Sequence, residues 1–182
     1  MFAVVITGPP GAGKTSVLTA LADALRADDA RHAAVEAELL AWAHPALSAE
    51  QRRWHLETTC ELYRAAGHRL LLVAHTIESD EALAELLAAV GADEHLVVRL
   101  EAEPATLVRR ITDREPAGWS GLSELVGHAR VLAASMAALR GVDLVVSTER
   151  QRPEAVAEHV RAARPDVLGR PVCVRMTGRR SD

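Results

Sequence analysis

Gly8-Pro9-Pro10-Gly11-Ala12-Gly13-Lys14-Thr15 lies between an apolar run over residues 2–7 and a helical pattern carrying Val17, Leu18, Leu21 and Leu25. The stretch satisfies the spacing glycine, four free positions, glycine, lysine, then serine or threonine. Glycines let the backbone turn so that successive N–H groups converge on an anion. The helix opening at Lys14 adds the partial positive charge of its N-terminus. Lys14 is then placed to reach the β- and γ-phosphates, the Thr15 hydroxyl to ligate Mg²⁺, and Ser16 to hydrogen-bond the α-phosphate. Gly8, Gly11, Ala12, Gly13, Lys14, Thr15 and Ser16 therefore form the expected nucleotide-binding set. MgATP is the expected ligand, and the motif does not separate ATP from GTP.

The chain has 182 residues and 21 basic side chains, of which Lys14 is the only lysine. Asparagine is absent and isoleucine occurs only at Ile6, Ile77 and Ile111, a bias that favours arginine over lysine codons. A lone lysine kept against that drift marks a place where a compact, rotatable ammonium cannot be exchanged for a planar guanidinium. The length suits one domain with a real core. At 49% apolar and 25% charged residues, the composition is that of a globular chain. Net charge is −4, which speaks against a general nucleic-acid surface. No apolar run approaches the roughly 18 residues needed to span a bilayer. The N-terminus carries no basic leader, and Cys60 and Cys173 follow no metal or redox spacing. A cytoplasmic protein without nucleic-acid or membrane partners is the expectation, with monomer and homodimer both open.

Outward from the loop, apolar runs and helical periods alternate. Strands are expected at residues 2–7, weakly at 32–36, and at 70–74, 95–100 and 142–146. Helices are expected from Lys14, from an N-cap at Ser48 to a stop at Gly67, over 80–90, from Pro104 to Arg114, over 122–139, and from Pro153 to about Arg164. Near-continuous apolar strands separated by helices imply a parallel sheet covered on both faces, a three-layer α/β sandwich. Residues 1–164 read as the domain and 165–182 as a loosely held tail.

The loop, the chain length and the arginines at 109, 110 and 114 resemble the small-molecule and nucleotide kinase branch of P-loop proteins, with likenesses to chloramphenicol phosphotransferase, gluconate kinase and adenylylsulfate kinase. The resemblance covers about residues 2–164 and implies a five-stranded parallel sheet in the order 2-3-1-4-5 with a lid between the fourth and fifth strands, here about 109–121. It also implies an acidic residue after the second strand that meets the acceptor hydroxyl. Val35-Glu36-Ala37-Glu38 stands there, with glutamate where the group carries aspartate. Such a carboxylate can accept or orient the hydroxyl proton and help hold Mg²⁺ through water. Carboxylates are equally favoured at an exposed helix start.

The run Leu70 to Ala74 ends in His75-Thr76-Ile77-Glu78, without the aspartate that P-loop NTPases usually place there. His75 is a candidate substrate contact and Glu78 a fallback acid. On the fourth helix Arg110 and Arg114 share a face, with Arg109 about 100° away. The resemblance gives such arginines the task of clamping the transferring phosphoryl group. Arg130 is a weaker candidate for the same work. Residues 147–153 occupy the place that frames the adenine in related kinases. Trp42, Trp54 and His55 fall where the acceptor pocket is built, although core packing is the ordinary explanation for such aromatics. The expected catalytic set is Lys14, Glu36, Arg110 and Arg114. The favoured reading is transfer of the γ-phosphate of ATP to a hydroxyl of a small molecule: an antibiotic, a sugar acid or a nucleoside. The alternative is a regulatory or accessory ATPase with no small-molecule acceptor.

Overall fold

The structure, a computed structural model, describes residues 1–169. Five strands, β1 (Phe2–Thr7), β2 (His32–Glu36), β3 (Leu70–Ala74), β4 (Glu94–Glu101) and β5 (Leu144–Ser147), form one parallel sheet in the order β2-β3-β1-β4-β5. Both the three-layer architecture and the strand order meet the expectation. Every residue of β1 and β3 is buried, which is why those runs lack polar alternation. Alternate residues of β1 feed two separate cores. Val4 and Ile6 join Leu18, Leu21 and Leu25 of α1 (Lys14–Ala27) and Val156 and Val160 of α7 (Pro153–Ala163). Ala3 and Val5 join Leu56 and Cys60 of α3 (Ala49–Ala65) and Leu83, Leu86 and Val90 of α4 (Asp80–Val90). Burial pushes the Cys60 thiol up to about 11, so it packs as a small apolar group. Cys173 lies outside the described residues.

Local signals set most boundaries. Ser48 caps α3 in a full capping box with Gln51. Gly91, at φ 60°, ends α4 in the left-handed conformation. Two boundaries differ from expectation. The last strand starts at Leu144; Asp143 just before it still bonds β4 twice, donating its N–H to the Val97 carbonyl at 3.0 Å and accepting the Val97 N–H on its carboxylate at 2.7 Å, where a strand residue would offer a backbone carbonyl. The helix expected over 122–139 is α6 (Leu122–Ser135), followed by a 3₁₀ turn at Met136–Ala138. Just beyond, Asp80 holds both the backbone N–H and the guanidinium of Arg140, at 2.9 and 2.8 Å, and draws the chain off the helix axis.

Residues 165–168 do not form the loose tail expected from 165 onward. Pro165–Leu168 form a short helix, α8, with Leu168 fully buried. The buried Arg161 fixes it, donating to the Leu168 carbonyl at 2.8 Å and pairing with Asp28 and Glu158. The remainder of that expectation falls outside the described residues. Among the described residues no helix is long and apolar enough to cross a membrane.

Candidate active site

The parallel sheet sends the C-terminal ends of β1, β2 and β3 to one edge, the usual place for ligands in an open α/β fold. At that edge β1 runs into the glycine-rich loop. Gly8 has φ 149°, and a Cβ there would stand 2.5 Å from the Leu100 carbonyl oxygen of β4. Gly11 has φ 81°, and its Cβ would stand 2.7 Å from the Leu107 carbonyl oxygen on α5 (Pro104–Arg114). The loop is thus pressed against β4 and α5, and only glycine permits both approaches. The Lys14 ammonium folds back over it and donates to the Gly8 carbonyl at 3.0 Å. Burial lowers the Lys14 pKa; Glu38 and Glu36 act in the opposite sense, and Arg114 reinforces the lowering. An unpaired anion is what this buried cation calls for.

A cavity of about 880 Å³ opens over the loop. Its floor is Gly11, Gly13, Lys14, Thr15 and Ser16. From β3 and the segment after it come His75, Thr76 and Glu78; from α5 come Arg110 and Arg114; from α6 come Leu125 and His128. Glu38 enters from α2 (Ala37–Leu40), a single turn for which Glu36 is the N-cap. The two readings of these glutamates are therefore compatible: they sit at a helix start, and Glu38 faces the cavity while Glu36 meets the loop.

The two carboxylates have different neighbours. Glu36 accepts a short hydrogen bond from the Thr15 hydroxyl. Glu38 accepts from the Thr76 backbone N–H at 2.8 Å and from the Thr76 hydroxyl. Burial works to raise the Glu38 pKa, but Lys14, the two Thr76 bonds and His75 together outweigh it and hold the carboxyl below its usual range. His75 lies 3.8 Å from Glu38 with its Nδ1 buried and without a hydrogen-bond partner among the described residues. Burial lowers the His75 pKa and so favours its neutral ring, with Glu38 acting in the opposite sense. Threonine and histidine thus stand where an aspartate was expected to be missing, and Thr76 serves to hold Glu38. Glu78 pairs with His128 at 3.1 Å.

Arg110 donates to the Gly11 carbonyl and to Thr148, and also lines a second cavity of about 230 Å³. That cavity runs along Ala12, Ser16, Val17, Gln151, Pro153 and Val156, the place expected to frame a base. Arg114 lines only the larger cavity and pairs with Glu115 at 2.6 Å. Arg109 and Arg130 are exposed and line neither. Trp42 and Trp54 are 85% and 60% exposed, so the expectation of core packing fails for both, and neither lines the main cavity. Both belong to the exposed α2–α3 region, where the ring of Trp54 tilts against His55. His55 is tied to the Leu40 carbonyl at 3.2 Å. Arg52, Thr76, Leu125 and His128 also line the cavity, and no sequence motif marks them. Arg52 and Arg53 are adjacent in sequence, and only the phase of α3 separates them.

The oxygen donors beside the loop, the Thr15 hydroxyl and the Glu36 carboxylate, suit a hard cation such as Mg²⁺. Among the described residues no group of three His, Cys, Asp or Glu side chains makes a metal cage of its own. That fits an ion held by one or two protein oxygens together with phosphates.

Fold and loop together define a P-loop protein with the sheet of the small-molecule kinases. A family profile described as an AAA domain matches residues 4–119, and the chain belongs to that family. No curated protein matches the sequence. Among solved structures it is similar to an unliganded sugar kinase from Janibacter sp. HTCC2649, 19% identical with TM-score 0.63 over 93% of this chain and 96% of that one. A gluconokinase from Sinorhizobium meliloti 1021 is 19% identical with TM-score 0.61, covering 91% and 93%. APS kinase from Mycobacterium tuberculosis, in complex with AMPPNP and APS, is 18% identical with TM-score 0.60, covering 87% and 94%. These likenesses show a shared fold.

Proposed function

We propose that the protein is a phosphotransferase that moves the γ-phosphate of MgATP to a hydroxyl of a small molecule. The observation that carries this reading is Glu38: a carboxylate kept ionised by Lys14 and Thr76, facing the same cavity as the phosphate loop. A hydrolase needs only a positioned water, whereas the cavity of about 880 Å³ extends from the phosphate loop past Glu38 and His75, which leaves room for an acceptor beside the phosphates. The kinase names of the similar structures agree with it.

In this reading the loop N–H groups and Lys14 neutralise the phosphates, while Ser16, Thr148, Gln151 and Pro153 enclose the nucleoside. Thr15 and Glu36 hold Mg²⁺, which supplies charge neutralisation when bound. Glu38 orients the acceptor hydroxyl and takes its proton. A carboxyl held below its usual pKa is a weak base, so proton acceptance falls late, as a loose phosphoryl-transfer transition state allows. Arg114 stabilises charge on the transferring group. Of the expected lid, 109–121, Arg110 and Ile111 are held against the loop and the core, so in this reading the part from Arg114 onward acts as the lid, and its closure over the cavity excludes water. A cytoplasmic setting, where MgATP is plentiful, goes with this activity.

The test is ADP release from MgATP, alone and with pooled alcohols and sugar acids. Acceptor-dependent release, abolished by Lys14→Ala, is expected. Steady release indifferent to every acceptor would instead support an ATPase.

A further inference from the structure

We propose that the acceptor carries an apolar group about the size of one six-membered ring, received by a pocket between α2, α3 and α4; this rests on the phosphotransferase reading above. A cavity of about 190 Å³ opens there over an apolar floor of Ala41, Leu56, Ala82, Leu86 and Ala89, with the charged side chains of Arg53 and Glu85 at its rim. Arg52 and His75 line both this pocket and the main cavity, whereas no residue of the phosphate loop lines it. The pocket therefore adjoins the Glu38 end of the site, where the acceptor must sit. Its volume is right for a ring: an apolar cavity of about 150 Å³ is known to admit benzene.

Chemistry at the junction sharpens the class. His75 keeps a buried Nδ1 with no hydrogen-bond partner, 3.8 Å from the Glu38 carboxylate. With the acceptor hydroxyl beside Glu38, the apolar part of the molecule continues past the His75 ring into the space over the alanines. The Glu38 carboxylate favours an uncharged hydroxyl at that point over a second carboxylate. A linear polyol has a donor on every carbon, and those lying below the rim would be left unpaired against alanine and leucine. Ring-bearing alcohols therefore fit this floor, and linear polyols do not.

The experiment uses the full chain labelled with ¹³C at alanine methyls, saturated with MgAMP-PNP. It is titrated with 2-phenylethanol and separately with ribitol. The expected result is saturable shifts at Ala41, Ala82 and Ala89 with 2-phenylethanol and none with ribitol. Ala82→Leu should weaken 2-phenylethanol binding at least about tenfold while leaving AMP-PNP affinity unchanged. Ala41→Leu provides a second, more peripheral way to fill the space, and a thermal melt checks that both variants fold. The proposal is overturned by no saturable shift, by an equal response to ribitol, or by binding that neither variant affects. AMP-PNP binding in the same samples keeps the outcomes separate. Its absence defeats the phosphotransferase reading, whereas intact nucleotide binding without ring binding defeats only the pocket.

Discussion

Arg110 donates to the hydroxyl and the carbonyl of Thr148 at 2.9 and 2.8 Å, and to the Gly11 carbonyl at 3.2 Å. One guanidinium thereby joins three segments: the phosphate loop, α5 and the chain leaving β5. Arg114, one turn later, is exposed and, among the described residues, pairs with its neighbour Glu115. Two arginines of the same helix face are thus divided between building the nucleotide site and reaching over it.

Arg110→Ala should destabilise the protein by about 1–3 kcal/mol, because Thr148 and Gly11 lose a charged donor. It should also weaken AMP-PNP binding. Arg114→Ala should leave stability within about 0.5 kcal/mol but lower kcat by about 10²–10³. Thermal melts, calorimetric titration and turnover measured on both variants check the division.

The two glutamates should separate in the same way. Glu38→Gln keeps an oxygen to accept the Thr76 bonds but removes the base, so kcat should fall about 10²–10⁴ with nucleotide affinity preserved. Glu36→Gln should chiefly raise the Mg²⁺ concentration needed for half-maximal activity. A magnesium titration of each variant distinguishes them; equal shifts in both would contradict the assignment.

Lys14 offers a prediction of opposite sign for binding and for stability. Its pKa is lowered in the fold, so its burial costs stability below that value, and the cost is relieved as pH rises through the window between the folded and unfolded pKa values. Lys14→Met should therefore keep or raise the melting temperature of the nucleotide-free protein at pH 7 while abolishing nucleotide binding. For Glu38 the sense is reversed. Its folded pKa is depressed, so its contribution is complete above the ordinary carboxyl pKa and is lost as pH falls through the lowered folded value. The acid limb of activity should accordingly lie below the usual glutamate range, and Glu38→Gln should remove it.

Leu168→Ala should cost about 2–5 kcal/mol, as expected for a fully buried leucine. A loss near zero in chemical denaturation would mean that α8 does not hold to the body of the domain.

Much of this was legible from residue patterns. β3, buried on both sides, stood out as Leu70 to Ala74 because it needs no polar alternation, and the loop was visible because glycine spacing is dictated by close backbone approaches at Gly8 and Gly11. Elements set by long-range bonds were harder to read. At the start of β5 the Asp143 side chain takes the Val97 N–H in place of a backbone carbonyl, and beyond α6 Asp80 holds Arg140; neither contact leaves a mark within its own segment. The same holds at the site. Glu36 and Glu38 were marked by their position, but their different partners, Thr15 and Thr76, are 21 and 38 residues away. Thr76 and Arg52 carry no local signature. The place of Leu168 in the core is not legible locally either, because it depends on Arg161 and Arg164, whose partners Asp28 and Glu94 lie far away in the sequence.

The central claim is transfer to an alcohol rather than to water, and ³¹P NMR of the protein with MgATP and a ring-bearing alcohol tests it most directly. A phosphate-ester resonance growing in step with ADP, and absent with Glu38→Gln, is the predicted result. ADP accompanied only by inorganic phosphate, at a rate no acceptor changes, would contradict it.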